Sequence, residues 1–137
     1  MQCCMNRLVA KQLKALQLGD TVFVSWYDAS AGRGGFTGKA PIDIHCKSTG
    51  VFLGVIGQKH KQLILGQNVF YYTPEEHDID YTFVLVSWLT EIRVLQKETL
   101  PFEEAKRVRV SLLRSVTGVR RRKSSKSQWR TNNCRIG

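Results

Sequence analysis

Cysteine and proline are scarce in this sequence, long apolar runs are missing, and acidic residues vanish toward its end. Only four cysteines occur, Cys3, Cys4, Cys46 and Cys134, and no two stand as a C-x-x-C pair. Cys3 and Cys4 are adjacent, a poor geometry for a mutual disulfide. A secreted disulfide scaffold is thereby excluded, and a reducing, cytoplasmic setting is expected. His45 and Cys46 are metal-ligand types, but zinc sites take closely spaced ligand pairs and adjacent strand residues point to opposite faces. Free, partly buried thiols are the expected state, with no metal and no cofactor.

Other absences narrow the function. No apolar run approaches the roughly 20 residues that cross a bilayer, so no membrane partner is expected. Arg7, Lys11 and Lys14 interrupt the N-terminal apolar residues, so no signal peptide is expected either. No internal repeat or heptad pattern is present. The glycine-rich stretch 32–38 lacks the Lys-Ser/Thr pair of a phosphate-binding loop. No nucleophile stands with a base, and the cluster Glu75, Glu76, Asp78 and Asp80 with His77 reads as a solvated acidic turn. The expected class is therefore not an enzyme.

What is present is apolar content and unevenly placed charge. Hydrophobic residues make up 42% of 137, enough for one domain with an ordinary core. The net charge is +10, from 21 Lys and Arg against 11 Asp and Glu. Residues 1–100 carry 10 basic and 9 acidic side chains, whereas residues 101–137 carry 11 basic and 2 acidic. From position 117 onward there are seven basic residues and no acidic one. A surplus confined to one end favours a polyanionic partner for that end.

Residues 7–17 are expected to form a helix capped by Asn6, with Val9, Leu13 and Leu16 on one face and Gly19 ending it. The run T-V-F-V-S-W-Y at 21–27 is a strand, with Val22, Val24 and Trp26 facing one way. Residues 28–50 hold Gly32, Gly34, Gly35, Gly38 and Pro41 and read as a long loop, with a short extended piece at 42–45. Strands follow at 51–56 and 61–65, joined by a turn at 57–60, and residues 69–72 extend the sheet or cover the core. An acidic turn spans 74–80. The strand 81–88 comes next, then a turn at 89–91 and a last strand at 92–95.

A second helix starts at Pro101, with Glu103 and Glu104 near the positive end of its dipole and Ala105, Val108, Leu112 and Val116 as its apolar stripe. The rest, V-R-R-R-K-S-S-K-S-Q-W-R-T-N-N-C-R-I-G, is too polar to offset its ordering entropy and is expected to be a disordered basic tail. The implied organisation is a domain over 1–98, a helix over 99–118 and a basic arm over 119–137.

The order helix, G-D-T-V-F-V-S-W, G-V-F-L-G-V, K-Q-L-I-L-G, Y-T-F-V-L-V-S-W, E-I-R-V-L resembles the SH3-like barrels, in particular Sm-like ones. The capping N-terminal helix and the tight turn before the last short strand carry the likeness, over about residues 6–96. It implies a mainly β fold, a small five-stranded barrel with an N-terminal helix, a C-terminal helix and the basic tail. It does not bring ring assembly or a uridine pocket: Ile92-Arg93-Val94 lacks the glycine of the Sm Arg-Gly pair, and the Asp and Asn of the first Sm motif have no match. The segment G-D-T-V-F-V-S-W-Y-D-A-S also looks like uncharacterised archaeal barrel proteins. The R-R-R-K and K-S-Q-W-R clusters resemble the extensions by which ribosomal proteins thread into rRNA.

The expected binding set follows from charge and stacking chemistry. Arg120, Arg121, Arg122, Lys123, Lys126 and Arg130 can release counterions from phosphates, and Trp129 can stack on a base. Arg107, Arg109 and Arg114 on the second helix can extend that surface onto the folded body. Arg33, in a single R-G-G, and Lys59 and Lys61, flanking His60 at a hairpin tip, are secondary candidates. The expected partner is RNA, rRNA foremost, with the chain as a ribonucleoprotein component. Two alternatives stand beside it. One is a DNA-binding chromatin or regulatory protein. The other is a protein-interaction module that uses Trp26, Tyr27, Tyr71 and Tyr72.

Overall fold

The computed structural model describes residues 6–28 and 44–116. The basic arm, the R-G-G stretch with Arg33, and Cys3, Cys4 and Cys134 lie outside these residues. The elements run α1 (Arg7–Ala15), β1 (Thr21–Asp28), β2 (Ile44–Ile56), β3 (Gln62–Tyr71), β4 (His77–Leu85), a 3-10 turn (Val86–Trp88), β5 (Leu89–Gln96) and α2 (Phe102–Val116). The fold is mainly β, with five antiparallel strands in the order β4-β3-β2-β1-β5. None of the helices among the described residues is long and apolar enough to cross a membrane.

The expected barrel is corrected to an open sheet, because β4 and β5 end the strand order and share no ladder. Helices, rather than strand closure, bury the two faces. Val22, Val24, Phe52, Leu63, Leu65, Val84, Val86, Leu89 and Ile92 form one apolar layer with Val9 of α1. Leu53 and Ile64, one residue out of phase, form a second layer with Ala105, Val108 and Leu112 of α2. Both faces of β2 and β3 are thus covered, which is why Leu63-Ile64-Leu65 reads as an unbroken apolar run.

Several boundaries also move. β2 begins at Ile44, so the end of the expected loop is strand, paired with β1 from Asp28↔Ile44 to Thr21↔Val51. Its polar sequence hides this; only alternate residues of 44–49 are partly buried there. β2 then changes partner and pairs with β3 from Val51↔Gly66 to Ile56↔Gln62, with a bulge between Phe52 and Val55. Strands that switch partner through a bulge turn the corner of a bent sheet. β3 is one continuous strand, and β4 starts at His77 within the expected acidic turn, because Asn68, Val69, Phe70 and Tyr71 pair with Asp80, Ile79, Asp78 and His77. The tight corner before β5 falls at Val86–Trp88, three residues earlier than expected.

Helix α1 is capped as its sequence implies, with the Leu8 amide donating to Asn6 Oδ1 at 3.0 Å. At the junction behind it, Gly19 has φ +98, and its amide donates to the Phe52 carbonyl. Asp20 is wholly buried. Its carboxylate accepts from the Gln17 amide at 3.1 Å, the Glu98 amide at 3.1 Å and Lys97 Nζ at 2.9 Å. One carboxylate therefore ties the end of α1 to the β5–α2 connection. Burial pushes the Asp20 carboxyl upward, but these donors outweigh it and hold it below the ordinary aspartate value.

Candidate nucleic-acid interface

Helix α2 precedes the basic C-terminal sequence and packs on β2. Ala105 sits against Gly19, whose amide bonds Phe52, and Arg109 lies across Gly54. From Ala105 to Arg109 a helix advances about 6 Å. From Phe52 to Gly54 a strand advances about 6–7 Å. The helix therefore runs alongside β2 in the same direction, and Leu113 and Ile56 join the same apolar layer. The last turns of α2 also meet the start of β4, where Ser111, Leu112 and Ser115 line a hollow with His77, Asp78, Ile79 and Asp80. Lys59, His60 and Lys61 are exposed at the β2–β3 turn.

Acidic residues gather near the β3–β4 turn. The β3–β4 turn carries Glu75 and Glu76, the start of β4 carries Asp78, and the first turn of α2 carries Glu103 and Glu104. The Tyr71 hydroxyl donates to Glu104, and that bond, with partial burial, pushes the phenol up to about 12. Tyr72 donates to Asp78 at 3.1 Å, and its phenol is likewise raised.

Between α2 and the β3–β4 turn runs a groove of about 790 Å³. Tyr71, Glu75 and His77 line one wall, and Glu103, Arg107 and Arg114 stand on the helix side. A smaller hollow of about 270 Å³ continues it along β4, past Asp78 and Asp80 to Ser115. The His77 ring packs on Tyr71 with centroids 5.7 Å apart, and both of its ring nitrogens are buried without a hydrogen-bond partner.

The three helix arginines are separated by this geometry. Arg107 and Arg114 are exposed and border the groove. Arg109 lies on the other flank over Gly54, half-buried, with its Nε unpartnered. Gly54 has φ +105, and a Cβ there would come within 2.8 Å of Arg109 Nε. Arg109 is thus a packing residue as well as a cation. Lys59 and Lys61 are exposed at the hairpin tip. Arg120, Arg121, Arg122, Lys123, Lys126, Trp129, Arg130 and Arg33 lie outside the described residues.

The aromatic candidates divide as well. Trp26 is partly buried, parallel to Trp88 at 6.4 Å, and donates to Ser48 Oγ at 3.1 Å. Tyr27 is exposed beside His45, whose Nε2 lies 2.5 Å from Ser25 Oγ. Ser25 itself is 4% exposed. Among the described residues no cluster of three His, Cys, Asp or Glu could hold a metal ion.

The groove residues were missed as a group from sequence. Tyr71, His77 and Glu104 come from three elements, and no spacing links them. A partial signal existed in the alternation of 77–80, which marks a strand rather than a turn. No protein-family model matches the chain, and no curated protein or solved structure is found similar to it.

Proposed function

We propose that the chain is a non-enzymatic RNA-binding protein, a ribonucleoprotein component of ribosomal type. In this reading the sheet and helices are a rigid docking body, and residues 117–137 supply electrostatic affinity. One observation carries it: seven cations and no acid follow position 116, directly after α2, while residues 1–100 are nearly neutral. A polyanion gains counterion release from charge concentrated in this way. The capping N-terminal helix and the tight corner before β5 support reading the bent sheet as SH3-like. A cytoplasmic location accords with this role.

The test is RNA binding across a salt series, comparing the full chain with one ending at Thr117. Each phosphate neutralised on a single strand contributes about 0.7 to the slope of log K against log salt. Full engagement of all seven cations predicts a slope loss of about 5 on truncation. Substituting Lys59 and Lys61 with Gln should remove a further 1 or so. An unchanged affinity and slope after truncation would refute the proposal. The same arm could grip duplex DNA, and competition between duplex DNA and a structured RNA decides between them.

A further inference from the structure

One stretch of the sheet lies outside both apolar layers. Phe23, Ser25 and Tyr27 of β1 alternate to the face opposite Val22 and Val24. They share it with β2 through the pairs Phe23↔Thr49, Ser25↔Lys47 and Tyr27↔His45. On β5 the neighbours are Arg93, paired with Phe23, and Glu91, paired with Ser25. None of these side chains belongs to the layer under α1 or the layer under α2.

Two flat groups stand on this face. Tyr27 is 47% exposed, and its ring leans on that of His45 with centroids 5.2 Å apart. The bond between His45 Nε2 and Ser25 Oγ fixes the imidazole beside the phenol. Four residues back along β1, the Arg93 guanidinium lies over the Phe23 ring at 4.5 Å. Its Nε meets Glu91 Oε1 at 2.8 Å, so the guanidinium plane is held from below and from the side while the side chain stays 58% exposed.

We propose that this face is a stacking platform for an unpaired nucleotide strand, which deepens the RNA-binding reading and rests on it. Aromatic rings and arginine planes are the groups on which splayed-out bases stack. Phe23 and Tyr27 stand about 13 Å apart along β1. Bases stacked on one another advance only about 3.4 Å each, so a strand that reaches both platforms runs extended with its bases separated. Bases inside a duplex are covered by their neighbours on both faces and find no place here. Lys47, opposite Ser25 and exposed, stands between the platforms and meets the intervening phosphates. Lys47 and Arg93 against Glu91 leave one net positive charge with His45 neutral. Stacking, rather than long-range attraction, therefore carries the affinity of this face.

The experiment uses the full chain with a short unstructured RNA, the DNA of the same sequence, and the RNA annealed to its complement. Tyr27→Ala should weaken the unpaired RNA about 5- to 150-fold. The salt slope should stay unchanged, because stacking releases no counterions. Unpaired DNA should lose as much and the duplex nothing. Tyr27→Phe should restore native binding, and Tyr72→Ala, which removes an aromatic 69% exposed elsewhere, should leave it intact. Lys47→Gln should lower the slope by about 0.7. Arg93→Gln should weaken the unpaired RNA several-fold and gives the same readout should Tyr27→Ala fail to fold. Native affinity in folded Tyr27→Ala or Arg93→Gln, an equal loss on the duplex, or a loss with DNA and not with RNA overturns the platform. If the platform fails while truncation at Thr117 still lowers the slope, the functional proposal stands without it. Tyr27-dependent binding that survives truncation with an unchanged slope sinks the role of the arm and leaves the platform in place.

Discussion

Replacing Asp20 by Asn tests how the two helices are tied to the sheet. The carboxylate is wholly buried and accepts from two backbone amides and one ammonium. The carboxamide keeps one acceptor oxygen. If that oxygen faces the Gln17 amide and Lys97, the new NH2 group abuts the Glu98 amide, donor against donor. An unsatisfied buried amide costs about 1–3 kcal/mol. Turning charge-assisted bonds into neutral ones costs about 1–2 kcal/mol more. The expected loss is about 2–4 kcal/mol, a fall in Tm of roughly 10–25 °C for a domain of this size.

Lys97→Met supplies the contrast. Its side chain is 57% exposed, so its share of the pair should be at most about 1 kcal/mol. Urea unfolding of both variants gives the comparison, with an unchanged m-value as the check on two-state behaviour. The pH dependence adds a second handle. Asp20 titrates lower in the folded chain than in the unfolded one. Its contribution is therefore present above the ordinary aspartate value, about 3.9, and is lost as pH falls through the folded value. The gap between the native chain and Asp20→Asn should close in acid. A loss below about 1 kcal/mol at neutral pH, or a gap that does not narrow in acid, would refute this account.

Two further outcomes follow from the geometry. Tyr71 should ionise at about 12, and Tyr71→Phe should remove that step from a phenolate absorbance titration. Because its folded value is raised, the stability it contributes is present below about pH 10 and is lost as pH climbs through 12. Gly54→Ala should cost about 1–2 kcal/mol in urea unfolding, from the φ of +105 and the displaced Arg109, while Gly54→Ala with Arg109→Ala should recover only the part due to the clash.

Much of the fold was legible locally. The cap at Asn6, the strand from Thr21 and the stripe Ala105, Val108, Leu112 each rest on side-chain chemistry within a few residues, and each has its counterpart in the structure. The acidic residues 78 and 80 concealed the start of β4, since their exposed positions alternate with partly buried His77 and Ile79 only once β3 lies alongside. The polar run H-C-K-S-T became strand for the same reason, by pairing with β1. Closure was misjudged because strand patterns show which residues are apolar, not whether a neighbouring strand or a helix covers them.

The sequence by itself determined the mainly β composition, the two helices and the concentration of charge after residue 100. These follow from periodicity and from the covalent order of side chains. Only the tertiary structure decided that α2 lies along β2, that Arg107 and Arg109 stand on different flanks, and that Tyr71, His77 and Glu104 meet in one groove. The physical reason is that packing on the sheet sets the azimuth and direction of a helix.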